Sequence, residues 1–210
     1  MFQLIELLAV LAGATYGVLL ARRHRMDFVG VFSVAFIIAF AGGTLRDLFL
    51  DRHPLFWIRH DEYAVIVFVL ALVASVLPRI PLTVERWLAV PDALGMGLFS
   101  VVGAGFAIEA GTSMFIASLL GVVTGTFGGV IGDVVCNQIP SLFRPSTPLY
   151  ATCSFIGCWV FLLLQATGLE ELFAVVSGLS VCVVLRFAAL RWNLCLPAAN
   201  SSTESATEKT

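Results

Sequence analysis

Two carboxylates set inside apolar runs carry the strongest chemical signal in this chain. Asp47 ends the stretch Gly42-Gly43-Thr44-Leu45-Arg46-Asp47, and Asp133 ends Gly128-Gly129-Val130-Ile131-Gly132-Asp133. An ionisable side chain within a membrane span costs roughly 2.5–3.5 kcal/mol, so it normally faces a partner or a water-filled cavity. Arg46 lessens that cost for Asp47. As the cation expected at membrane depth for both aspartates, it would also bind an anion or a carboxylate-bearing solute. Asn137, one turn beyond Asp133, is expected to donate a hydrogen bond to it. The paired glycines each weaken a helix by roughly 1 kcal/mol relative to alanine, which predicts a kink or an unwound turn. Carbonyls and a half-helix N-terminus bared at such a break coordinate ions. Gly42, Gly43, Arg46, Asp47, Gly128, Gly129, Asp133 and Asn137 are therefore the candidate permeation or ligand-binding residues.

Other chemistry finds little support. His24, His53 and His60 fall in interfacial segments without HxH or HxxxH spacing, so neither a metal site nor a cofactor is expected. Cys136, Cys153, Cys158, Cys182 and Cys195 form no CxxC pair and mostly sit in apolar runs, where a thiol acts as a small hydrophobe. Two intramembrane aspartates can share a proton in a protease, but no Gly-x-Gly-Asp stretch occurs. No enzymatic activity is expected.

These residues must be positioned by helices in lipid. Of 210 residues, 59% are hydrophobic and 12% charged, against about 25% charged in soluble proteins, which excludes a soluble monomer. The net charge of -2 and the single lysine, Lys209, leave no basic footprint for nucleic acid. Apolar runs at 4–21, 28–50, 63–78, 90–108, 114–136, 149–167 and 172–190 are each near the roughly 20 residues that cross a bilayer core. Continuous runs favour helices over barrel strands, which alternate. The fold class expected is an all-α integral membrane protein with seven transmembrane helices. A single transmembrane domain covers 1–197, and a Ser/Thr/Glu-rich tail at 198–210 is expected to be disordered.

The chain also repeats itself. At an offset of 86 residues the two glycine motifs superimpose, Pro54 falls on Pro140, Gly17 on Gly103 and Glu6 on Asp92, without a gap. Two three-helix units, at about 4–80 and 90–167, with a seventh helix at about 172–190, are the simplest arrangement. Three is odd, so the second unit enters the membrane inverted. Inversion places Asp47 and Asp133 toward opposite faces, too far apart to share a proton. Each middle helix carries a row of small residues ending in the carboxylate: Ala35, Ala39, Gly43, Asp47 and Gly121, Gly125, Gly129, Asp133. Such rows serve close helix packing or a passage between helices. Pro54 and Pro140 end the helices, and Phe56-Trp57 reads as an interfacial anchor. Seven spans put Arg22, Arg23, Arg25, Arg79, Arg86, Arg144, Arg186, Arg191 and Lys209 on one face and Arg46, Arg52 and Arg59 on the other. Basic loops stay in the cytoplasm, so the N-terminus is expected outside and the C-terminus inside.

The pattern Gly42-Gly43-x-x-Arg46-Asp47 with Pro54-x-Phe56-Trp57, repeated as Gly128-Gly129-x-x-Gly132-Asp133 with Pro140, resembles the glycine-transporter domain family of bacterial inner-membrane proteins. The resemblance spans about 4–190. Gly132 departs from it, since similar proteins usually carry arginine there. The architecture is also similar to the trimeric intracellular cation channels, whose pore lies within each protomer. The resemblance implies an inner-membrane permeation protein for a small solute or ion, a glycine or small amino acid carrier or an ion channel. It also implies a homo-oligomer, a trimer by the channel likeness, with the lipid bilayer as its solvent. A scaffold subunit that moves nothing is the bland alternative.

Overall fold

The computed structural model describes residues 2–77, 88–144 and 147–195; the tail expected at 198–210 lies outside them. The described residues form an all-α membrane protein with eight α-helices: α1 (Phe2–Arg23), α2 (Phe28–Phe49), α3 (Phe56–Arg59), α4 (Asp61–Val76), α5 (Ala89–Glu109), α6 (Met114–Val135), α7 (Ala151–Ala166) and α8 (Glu171–Trp192). A 3₁₀ turn spans Ser141–Phe143. By length and composition, α1, α2, α5, α6 and α8 can each cross a membrane. At 1.5 Å per residue they rise about 32 Å, whereas the 16-residue α4 and α7 rise about 24 Å. The seven apolar runs coincide with the seven longer helices. The extra element, α3, is one turn long and carries no periodic signal.

Local chemistry sets the ends of the middle helices. Asp27 accepts the Gly30 N–H at 2.9 Å to start α2, and Ser113 accepts that of Ile116 at 3.4 Å to start α6, satisfying otherwise orphan donors. Both helices stop at a left-handed residue, Asp51 (φ 51) and Asn137 (φ 55). The following N–H then turns back: Arg52 donates to the Asp47 carbonyl and Gln138 to that of Asp133, each at 2.8 Å. Asn137 is thus an exposed C-terminal cap, which corrects its expected role beside Asp133.

Small residues hold the core together. α1 lies on α2 through Gly17 at Ala35 and Gly13 at Ala39, α5 lies on α6 through Gly103 at Gly121, and α7 meets α8 where Gly157 faces Cys182 and Gly178. Without a hydrophobic drive between helices in lipid, such close approach supplies the dispersion energy of association. α2 and α6 also cross closely, backbone to backbone. A Cβ on Gly42 would collide with the Thr124 carbonyl, and one on Gly128 with the Ile38 carbonyl. Gly42 meets the earlier part of α6 while Ile38 meets the later part, so the two helices run antiparallel.

That crossing overturns the expected breaks. α2 and α6 are continuous through Gly42-Gly43 and Gly128-Gly129. The glycine propensity cost of about 1 kcal/mol per residue is offset by backbone-to-backbone contact that a larger side chain would prevent. Phe56 is likewise no interfacial anchor: it is buried against Gly43, while Trp57 folds onto α2 and donates to Thr44 Oγ1 at 3.1 Å.

Candidate functional site

Two polar clusters flank the α2–α6 crossing. The first gathers the start of α1, the end of α2 and the end of α5. Arg46, fully buried, places Nε and Nη2 at 2.9 and 2.8 Å from Asp47 Oδ1. Its Nη1 lies 2.8 Å from Glu6 Oε1, an ion contact whose angles fall short of a directed hydrogen bond. The guanidinium stands 4.5 Å from the Phe106 ring centroid and 5.3 Å from that of Phe56, where ring quadrupoles favour a cation. Asp47 Oδ2 accepts the Phe56 N–H at 2.8 Å, so the carboxylate also caps α3.

Beside this cluster opens a cavity of about 200 Å³, lined by Glu6, Asp47, Arg52, Arg59, His60 and Phe106 among others. Arg52 stacks 3.8 Å over Phe106 and sits 3.8 Å from Asp47 Oδ1. Burial and the neighbouring Arg46 charge push the Arg52 guanidinium below its ordinary value. Arg46 itself is sealed beneath the cavity. It therefore orders Glu6 and Asp47, which line the cavity with Arg52.

The second cluster gathers the start of α5, the end of α6, the residue preceding α7 and the last third of α8. Tyr150 donates its hydroxyl to Asp92 Oδ1 at 2.8 Å, and Arg186 Nη2 lies 3.5 Å from Asp92 Oδ2. Asp133 Oδ2 accepts the Ser141 N–H at 2.8 Å and its hydroxyl at 3.0 Å, repeating the loop clamp of Asp47 with Ser141 as the donor where Asn137 was expected. A cavity of about 20 Å³, room for one water, is lined by Tyr16, Ile38, Asp92, Thr124, Gly128 and Gly129 among others.

The candidate residues thus divide. Gly42 and Gly128 form the crossing, Gly43 seats Phe56, and Gly129 faces the small cavity, where among the described residues a Cβ would meet only the Tyr150 hydroxyl, at 3.3 Å. Counting helix rise, each aspartate lies about 10 Å beyond the crossing in opposite senses, about 20 Å apart, so of the two aspartates Arg46 meets only Asp47 and no proton is shared between them. The buried Arg186 escaped the sequence reading, which sorted it with the loop cations. Its place within an apolar run was the available signal. Glu6 and Asp92 surfaced only as repeat mates. Nothing local marked Tyr150 or Ser141, whose partners are distant in sequence. Among the described residues no group of metal-ligating side chains assembles.

Buried charge pairs inside a bundle of apolar spans, with a cavity on either side of one crossing, define a membrane protein of the channel and transporter class. The chain belongs to the family whose model is described as glycine transporter, which matches residues 3–79 and 89–166, two segments whose starts lie 86 residues apart. It is 37% identical over 195 residues to the UPF0126 inner membrane protein YadS of Escherichia coli strain K12, covering 92% of this chain and 93% of that protein. To a UPF0126 membrane protein of Vibrio cholerae serotype O1 it is 35% identical over 198 residues, covering 94% and 82%. A solved TRIC trimeric intracellular cation channel orthologue from Rhodobacter sphaeroides superimposes with a TM-score of 0.86 at 32% identity, covering 92% of this chain and 98% of that one. A second structure, from work on conductance through TRIC cation channels, gives 0.85 at 27% identity, covering 97% and 100%.

Proposed function

We propose that the chain carries a small ion or small polar solute across the bacterial inner membrane, by a path within one protomer between α1, α2, α5 and α6. One observation carries the reading: two polar cavities approach the α2–α6 crossing from opposite ends. The turns between them bear Ala9, Val10, Ala39, Gly42 and Val102, all buried, so the path is shut at a thin dry layer. The inverted repeat, 4–80 and 90–167 with a seventh helix at 172–190, accounts for the two-ended symmetry. Separating Arg46 and Arg186 from the loop cations leaves the basic excess on the same face, which supports an outside N-terminus. Assembly as a trimer follows the channel likeness.

The solved neighbours favour ion conduction. The mixed lining of the larger cavity, Glu6 and Asp47 with Arg52 and Arg59, favours a second reading, a carrier for a small zwitterion such as glycine. Purified protein in liposomes separates them. Potassium flux with single-channel steps in a bilayer supports a channel, and saturable uptake of labelled glycine without such steps supports a carrier. Neither flux above protein-free liposomes would overturn the permeation reading.

A further inference from the structure

We propose that Arg186, on the helix outside the repeat, is the cation of a second charge station on this path and sets the charge preference of the mouth at Asp92. The inference rests on the permeation reading above. Glu6 and Asp92 are repeat mates at the starts of α1 and α5. Glu6 is met by Arg46, whose own mate is Gly132, so the second unit has no cation at the matching position. A side chain there would have to displace that of Ile38: a Cβ on Gly132 would lie 2.5 and 2.6 Å from Ile38 Cγ1 and Cδ1. The position related to Ile38 by the same offset is the smaller Thr124. Ile38 thus occupies the space beside Gly132 into which a longer side chain would start.

α8 supplies the missing charge. Arg186 is pinned by donating Nη1 to the Pro148 and Leu149 carbonyls at 3.0 Å, and its guanidinium lies 4.5 Å from the Tyr150 ring centroid. The Asp92 contact is looser, 3.5 Å against 2.8 Å at Glu6, and the buried Nε finds no hydrogen-bond partner among the described residues. Arg186 is therefore anchored by carbonyls rather than consumed by Asp92. Asp92 and Tyr150 line the small cavity with Gly128 and Gly129, so the carboxylate faces the path while the guanidinium behind it offsets its charge.

Reversal potentials in a potassium chloride gradient test this. Arg186→Gln leaves Asp92 uncompensated and should raise the potassium-to-chloride permeability ratio about tenfold, whereas Arg186→Lys, which keeps charge but loses the paired carbonyl bonds, should hold it near wild type. Adding Ile38→Thr and Gly132→Arg to Arg186→Gln installs the pairing of the first unit and should restore the ratio. Should Arg186→Gln fail to assemble, Asp92→Asn gives the converse, a ratio lowered about tenfold. A conducting wild type whose ratio is unmoved by Arg186→Gln, or by Asp92→Asn, sinks this inference and leaves the permeation reading standing. A wild type that conducts nothing removes both.

Discussion

Each intramembrane aspartate holds two partners. Asp47 gives Oδ1 to Arg46 and Oδ2 to the Phe56 N–H, while Asp133 spends Oδ2 on the backbone and hydroxyl of Ser141. Both clamp the chain leaving a helix back onto that helix's last turn, so their first duty is structural. Asp133→Ala should then lower stability by about 1 kcal/mol, since the Ser141 donors it orphans are half-buried. Arg46→Gln should cost more, about 3–5 kcal/mol, because Glu6 and Asp47 are left buried without their shared cation. Thermal unfolding in detergent reads both. Glu6→Gln combined with Arg46→Gln should be less damaging than the two separate costs summed; strict additivity would mean that the Glu6–Arg46 contact contributes nothing.

At the scale of elements the neighbouring glycines Gly128 and Gly129 have opposite duties. A methyl on Gly128 strikes the Ile38 carbonyl, which is backbone and cannot step aside, whereas one on Gly129 meets only the Tyr150 hydroxyl at 3.3 Å. Gly128→Ala should therefore reduce the yield of folded protein and its thermal midpoint. Gly129→Ala should fold normally and reduce flux by narrowing the small cavity. Equal loss of folding in both would show that the row is packing throughout. The placement of the seven longer helices was legible because long apolar runs leave few alternatives in lipid, and the offset of 86 exposed the paired motifs; the one-turn α3 made an eighth helix that no run marked. The unbroken course of α2 and α6 was not legible. Helix propensity weighs glycine alone, and the compensating contact comes from a helix about 86 residues away. Arg186 was missed for a related reason: a basic residue near a span's end looks like a loop anchor until the fold brings Asp92 and two carbonyls to it.

The whole molecule ties these pieces to a sidedness that labelling can measure. The turns after α2 and α6 are built alike, each with a left-handed residue, a returning N–H and an aspartate clamp. The antiparallel crossing of those helices sends the two turns to opposite ends of the bundle. With the N-terminus outside, the turn at His53 faces the periplasm and that at Gln138 the cytoplasm, and both residues are exposed. Four of the five native cysteines are buried, so Cys195→Ser leaves a quiet background. In that background, a membrane-impermeant maleimide applied to spheroplasts should label His53→Cys at once and Gln138→Cys only after the membrane is opened. The reverse order would flip the molecule while keeping the two units opposed, since it exchanges outside for inside at both turns together. Equal labelling of both from one side is the damaging result. It would put both clamped turns on a single face, which antiparallel α2 and α6 cannot do in a bilayer, and the two-ended path would fall with it.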